Sequence, residues 1–279
     1  MRFLRPTLAV AVACALIAAA VTSAPAQAAR RGSSFAWASA ASAAVHPGIM
    51  TYTAGSQCTA NFVFTRGSEV LLGQAAHCAG TGAATATNGC TASTLPLGQE
   101  VQDVNGNFLG TIVYSSWVAM QNLGETDPDL CNYNDFALIR LTTEWVSQTN
   151  PSVPIYGGPT GVRTSGLAIL DDVYAIGNSS LRLGISQLSN HHGYSVQELG
   201  NGWSHQVYTV TPGIPGDSGG PLLAGDGSAV GLLSTVGLYP LVLSNNFSDL
   251  SRVMGYARAH GMSGLYLVKG DIGFTPSLI

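Results

Sequence analysis

Apolar residues in this chain come in short runs broken by glycine and polar turn residues. "TANFVFT" and "SEVLLGQAA" flank Arg66-Gly67. "EVQDV" and "FLGTIVY" flank Asn105-Gly106, and "SGGPLLA" and "SAVGLLST" flank Asp226-Gly227. Asn-Gly and Asp-Gly between strand-like runs are two-residue hairpin signals, because both central residues must take positive φ. "DFALIRL" (135–141) alternates after its acid. This texture predicts an antiparallel barrel or sandwich. "NPSVPIYGGPTG" (150–161) is rich in Pro and Gly and reads as a linker between two halves. A helix is expected over 248–261, "SDLSRVMGYARAHG". It has a Ser or Asp start, apolar residues at 250, 253, 254 and 257, basic residues toward its end and a closing Gly261.

The first residues follow a different rule. "MRFLRPTLAVAVACALIAAAVTSAPAQAA" has two arginines, an apolar run and then small residues, the order of a secretory signal peptide. The run covers roughly residues 7 to 21, short of the ~20 residues a membrane span needs. Cleavage is expected after Ala28, with Ala26 as the near rival, so residues 1–28 are read as the signal. Cys14 lies inside the apolar core of that segment, unlike a lipid-anchored cysteine. Residues 29–44, small and polar around a lone Phe and Trp, read as a mobile leader or short pro-segment. The remainder, 45–279, is expected to be exported and extracellular, free of the membrane once the signal is removed, and monomeric.

Composition narrows the function classes. Only 9% of residues are charged, the net charge is −4, and there are 34 glycines. Nucleic-acid binding, which leaves a basic face, is not indicated. Apolar content is ample for a core, which argues against disorder. Four cysteines remain after the signal: Cys58, Cys78, Cys90 and Cys131. An even count in an exported chain reads as two disulfides, with three possible pairings. A zinc site is the competing reading, prompted by His77 beside Cys78. It is disfavoured by the absence of any C-x-x-C pair and by the oxidising compartment. No cofactor motif appears.

"TPGIPGDSGGPLL" (211–223) sets Asp217 and Ser218 among glycines and prolines. Such a stretch can be a polar turn or can present a nucleophile. "GQAAHCAG" places His77 at the end of a strand-like run, and "NYNDFALIRL" places Asp135 at the mouth of another. Taken alone, each is an ordinary structural residue. Together, "AAHC", "NDFALIRL" and "GDSGGP", in that order, resemble the histidine, aspartate and nucleophile motifs of the chymotrypsin-like serine proteases, over some 200 residues from about Cys58.

The resemblance implies an all-β fold of two six-stranded antiparallel barrels with a C-terminal helix. The first barrel would cover about 45–150, the second about 151–247 and the helix about 248–261. It implies a secreted endopeptidase acting on proteins or peptides without a metal or other cofactor. Ser218 would be the nucleophile, His77 the general base and Asp135 its orienting acid. Gly216 and Ser218 would supply the oxyanion-hole N–H groups, and Ser234 would support Asp135. It further implies the pairs Cys58–Cys78 and Cys90–Cys131. Asp217 would need a cationic partner: Arg163, Arg182 or a new N-terminus, for which "VHPGI" (45–49) is a poor match. The pocket base would fall near Pro212, with Val236 projecting into it. No acid stands at that base, so a preference for Lys or Arg is not expected.

Three rivals remain open at this level. An α/β-hydrolase reading takes "GDSGG" as G-x-S-x-G, with Ser218, Asp249 and His260 in that fold's order. It leaves "AAHC" and "NDFALIRL" unexplained, and "GGPLLAGDG" reads as a hairpin where a helix is required. The second rival is a catalytically inactive homologue acting as a binding protein, and the third an esterase using the same triad. His46, His191, His192, His205 and His260 are assigned packing or surface roles.

Overall fold

The computed structural model describes Met1, residues 35–237 and residues 241–277. The signal segment lies outside the described residues, as does the first part of the leader. The fold belongs to one unit, Ser33–Ile279. Among the described residues no helix is long and apolar enough to cross a membrane.

The expected hairpins form, but the turns at Asn105-Gly106 and Asp226-Gly227 are longer than two residues: Gly106 and Gly227 take positive φ while Asn105 and Asp226 do not, and the turns are closed by Asp103 N–H on Asn107 O and Ala224 N–H on Ser228 O. Strands β1 (Met50–Thr53), β2 (Ser56–Thr59), β3 (Val63–Arg66), β4 (Glu69–Gln74), β5 (Glu100–Gln102), β6 (Phe108–Ser115) and β7 (Ala137–Leu141) belong to one antiparallel sheet. β3 and β4 turn at Arg66-Gly67, and β5 and β6 turn at Asn105-Gly106. β4 and β7 are buried almost throughout, so the alternation expected after Asp135 gives way to a strand covered on both faces, with Arg140 its exposed position.

The second half holds β8 (Asp172–Ile176), β9 (Asn190–Leu199), β10 (Ser204–Thr209), β11 (Pro221–Ala224), β12 (Ala229–Val236) and β13 (Asn245–Asp249). They close into a six-stranded barrel in the order β10-β13-β12-β11-β8-β9. β11 and β12 form the expected hairpin about Asp226-Gly227.

The first half departs from the expected six strands. Among the described residues its sheet has eight, in the order β14-β3-β4-β7-β6-β5-β1-β2, with no pairing between its two end strands. The extra partner is β14 (Leu265–Leu267), which follows the late helix and pairs with β3 some 200 residues earlier. Leu265 is fully buried in a core cluster that draws on both halves, with Phe64 and Leu71 from the first and Tyr174 and Leu232 from the second. The late helix itself, α4 (Leu250–Ala259), begins where Asp249 accepts the Arg252 N–H and buries Leu250, Val253, Met254 and Ala257. Among the described residues three α-helices are not legible in the sequence: α1 (Ser116–Leu123), α2 (Pro128–Tyr133) and the short α3 (Thr143–Val146). α2 is capped by Asp127, whose carboxylate accepts from Asp129 and Leu130 N–H groups.

The leader is docked from Phe35 on. Ala38 N–H bonds Thr149 O, Ala44 and Val45 N–H groups bond Gln148 O, and Phe35 and Trp37 pack on the first core. These hydrogen bonds and apolar contacts dock the described part of the segment that the sequence reads as a mobile leader or short pro-segment.

Candidate active site

β4 ends in a single turn of 3-10 helix, Ala76–Ala79, which carries His77. Asp135 sits between α2 and β7, and its side chain is 4% exposed. His77 meets it twice. Its backbone N–H donates to Oδ1 at 2.9 Å, and its ring Nδ1 lies 2.6 Å from Oδ2. Ser234, on β12, donates its hydroxyl to the same Oδ2 at 2.7 Å. Both carboxylate oxygens are thus engaged, and the imidazole is fixed in tautomer and orientation.

The charges support one another. Burial opposes charge on His77, yet the Asp135 carboxylate and its hydrogen bond outweigh it and hold the imidazole above its ordinary value. Burial likewise acts to raise Asp135. The His77 charge, the His77 ring and backbone bonds and the Ser234 hydroxyl outweigh it and hold the acid below the usual range.

Ser218 lies on the loop into β11, between Gly216 (φ +99°) and Gly219 (φ +88°). Its carbonyl accepts the Thr59 N–H at 2.8 Å, and Gly219 N–H bonds Leu233 O at 2.6 Å. A Cβ on Gly219 would stand 2.8 Å from Ala75 N, so this glycine lets the loop lie against the end of β4 that positions His77. The backbone N–H groups of Gly216 and Ser218 have no hydrogen-bond acceptor among the described residues. His77, Asp135, Ser218, Gly216 and Ser234 line one cleft of about 670 Å3 between the sheet and the barrel. Ser218 Oγ and His77 do not form a hydrogen bond here.

Asp217, fully buried, faces away from the cleft. Arg182 pairs with it, and the Ser179 and Ile214 N–H groups each donate to it at 2.9 Å. His191 Nε2 is 3.9 Å away. Burial, partly offset by the Asp217 charge and reinforced by that of Arg182, pushes His191 down to about 4. Arg163, the other basic candidate, pairs with Asp171 and Asp226 instead.

Of the pocket residues, Val236 lines the cleft with Ile214, Pro215, Leu233 and Thr235. Pro212 does not; its carbonyl accepts from Arg182 behind the loop. The disulfides are Cys58–Cys78 and Cys90–Cys131, closing loops of 20 and 41 residues. Ligand atoms of Cys58, His77 and Cys78 lie within 4.8 Å of one another. Both sulfurs are consumed in the disulfide and Nδ1 faces Asp135, so this donor set does not fit a zinc ion.

The α/β-hydrolase trio is not assembled. Asp249 caps α4 and bonds His205 Nε2 at 2.9 Å, while His260 packs on Tyr256. Sequence reasoning also passed over Gln57, Thr59, Ser179 and Trp117, three polar residues and an aromatic without a motif around them. Trp117 lies 6.3 Å from the His77 ring, centroid to centroid.

Solved structures of bacterial serine proteases share this fold. Protease A of Thermobifida fusca superposes with a TM-score of 0.50 at 18% identity, covering 81% of this chain and 99% of that one. A glutamic-acid-specific serine protease, described as using a histidine triad in substrate binding, gives 0.50 at 19% identity over 80% of this chain and all of its own. A Glu endopeptidase gives 0.50 at 16% identity, covering 80% and 95%. No protein-family model matches the chain, and no curated protein sequence does. The likeness is one of fold: this chain resembles the chymotrypsin-like serine proteases in architecture.

Proposed function

We propose that this protein is a secreted serine endopeptidase that hydrolyses peptide bonds through an acyl-enzyme intermediate. The observation that carries the reading is the doubly hydrogen-bonded His77–Asp135 pair, sharing a cleft with Ser218 and two unpartnered N–H groups. His77 Nδ1–H donates to Asp135, which leaves Nε2 free to take the Ser218 proton. The Ser218 oxygen attacks the substrate carbonyl carbon, and the electron pair moves to the carbonyl oxygen. Gly216 and Ser218 N–H groups receive that oxyanion. His77 then protonates the leaving amine, and water, activated by the same ring, releases the acid. In free enzymes of this type the Ser–His bond is often long and tightens only with substrate bound, consistent with its absence here. Asp135 stabilises the imidazolium charge that forms on His77 without taking the proton.

Cleft chemistry limits the substrate. Among the described lining residues, His77 and Asp135 are the only ionisable groups, and both serve the triad. The glutamate specificity in the names of two structural neighbours therefore has no cationic counterpart here, and Lys or Arg has no acid. Val236, Ile214 and Leu233 favour a small or medium apolar side chain before the scissile bond. The first barrel of such an enzyme would correspond to the eight-stranded sheet. Two disulfides agree with an oxidising, extracellular setting, and residues 1–28 would be the export signal.

The test is fluorophosphonate labelling of the secreted protein, with the label mapped by mass spectrometry, beside cleavage of a peptide library and of simple esters. Label on Ser218, lost in Ser218→Ala together with peptide turnover, is the expected result. Ester turnover without peptide turnover would move the reading to an esterase. Absence of label would make the protein an inactive homologue that binds.

A further inference from the structure

We propose that Ser179 and Gln57 are positioning residues that aim the Gly216 N–H into the oxyanion hole. This rests on the protease reading above. The N–H of Gly216 belongs to the Pro215–Gly216 peptide. A trans peptide is planar, and its C=O and N–H point in opposite directions. Whatever holds the Pro215 carbonyl therefore sets where the Gly216 N–H points. Ser179 holds it, donating its hydroxyl to Pro215 O at 2.6 Å from a side chain buried behind the loop.

The next peptide is held too. The Gly216 carbonyl accepts from Gln57 Nε2 at 2.9 Å and from Thr59 Oγ1 at 2.8 Å. Both donors come from β2, on the other side of the cleft. With both flanking peptide planes anchored, Gly216 is held at φ +99°. The anchoring matters because glycine, lacking Cβ, rotates between such conformations more readily than any other residue. The cradle is built on that lack: a Cβ on Gly216 would collide with Gln57 Oε1 and stand 2.8 Å from Ser179 Oγ.

The anchors are themselves fixed. Gln57 Oε1 accepts the Ser180 N–H at 3.1 Å, while Nε2 also reaches Asn178 O and Cys58 O, each at 3.0 Å. Thr59 Oγ1 accepts the Asn178 N–H at 3.0 Å. Residues 178–180 and β2 thus form one clamp on the loop that carries the nucleophile. The segment holds Asp217 as well, through Ser179 N–H and Arg182. That second connection does not involve the Ser179 hydroxyl or Gln57, so substitution of those side chains leaves the ion pair in place.

A purely structural role is the competing account, because Ser179 Oγ also accepts the Leu181 N–H at 3.1 Å and caps a short turn. The two accounts differ in what they move. A mis-aimed donor weakens binding of the transition state and leaves ground-state binding alone. Loss of a cap lowers stability only. The experiment uses Ser179→Ala and Gln57→Met in the secreted protein. It measures kcat and KM on a cleaved peptide and melting temperature. It also measures inhibition by a peptide aldehyde, whose adduct with Ser218 puts an oxygen in the hole, and by the matching peptide alcohol.

Each variant should lose roughly ten- to a hundredfold in kcat, less than the loss of a whole oxyanion donor. KM should stay within about twofold, and aldehyde inhibition should weaken by a similar factor to kcat while alcohol inhibition does not. If Ser179→Ala does not accumulate, Gln57→Met, a change at a partly exposed position, carries the same readouts. Unchanged kcat, or a lower melting temperature with an unchanged aldehyde-to-alcohol ratio, overturns the positioning role. In that case the wild type still labels and cleaves. A wild type that neither labels nor cleaves removes the protease reading, and this inference with it.

Discussion

Arg182→Met, made in a Ser218→Ala background so that self-digestion does not blur the measurement, should destabilise the protein severely. Asp217 is fully buried. Beyond Arg182 its carboxylate keeps two N–H donors, from Ser179 and Ile214, and the distant His191 ring. Methionine fills much of the arginine volume, so the loss is mainly one of charge. Stranding one member of a buried pair costs about 3–5 kcal/mol. For a chain of this size each kcal/mol shifts the melting temperature by about 2–4 °C, so the fall should be on the order of 6–20 °C. The assay is urea and thermal unfolding from pH 5 to pH 8.

The pH dependence carries a second check. In the parent, His191 is pushed down to about 4, chiefly by burial and in part by the Arg182 charge. A depressed histidine favours the folded state above its unfolded value near 6.5, and that contribution is lost as pH falls through the window from 6.5 to about 4. Removing Arg182 lifts one of the influences holding His191 neutral. The ring can then take up a proton and partly compensate Asp217. The gap between variant and parent should therefore be widest at pH 8 and narrow toward pH 5. Adding Asp217→Asn should recover most of the loss. A single variant within about 1 kcal/mol of its parent at pH 8, the scale of an exposed pair, would refute the claim that this ion pair anchors the loop carrying Ser218.

Three further outcomes are expected. Because Asp135 holds His77 above the ordinary histidine value near 6.5, kcat/KM should fall on acidification with an apparent pKa above 6.5; a flat profile between pH 5 and 9 would remove His77 as the base. Val236→Gly should shift the preference at the residue before the scissile bond toward larger apolar side chains by at least roughly ten- to two-hundredfold, read from a peptide library, the discrimination that one methylene of pocket supplies. Gly216→Ala should lower kcat by roughly a hundredfold or more, because a side chain at φ +99° cannot share the space of Gln57 and Ser179; wild-type kcat there would refute the cradle.

Much of this molecule is written locally. Asn105-Gly106 and Asp226-Gly227 mark their turns because few residues accept the positive φ their glycines take, and the short apolar runs on either side pair as hairpins. Asp249 and the spacing 250, 253, 254, 257 announce α4, since both cap and apolar face lie within the segment. His77, Asp135 and Ser218 are legible in another way: each alone is an ordinary structural residue, and only the resemblance of "AAHC", "NDFALIRL" and "GDSGGP", in that order, to a family's motifs singles them out.

What tertiary structure decided is what depends on partners far away in the chain. Arg163 and Arg182 are equally plain cations in the sequence, and only the folded barrel puts one against Asp217 and the other against Asp171 and Asp226. β14 is three residues of unremarkable text that become a strand because β3 offers an open edge. Residues 35–44 look mobile until Gln148 and Thr149 accept their N–H groups. Gln57 and Ser179 carry no motif, because their part is to hold carbonyls 159 and 36 residues away. Local propensity cannot encode a contact whose value appears only after two remote segments have been brought together by burial of the cores between them.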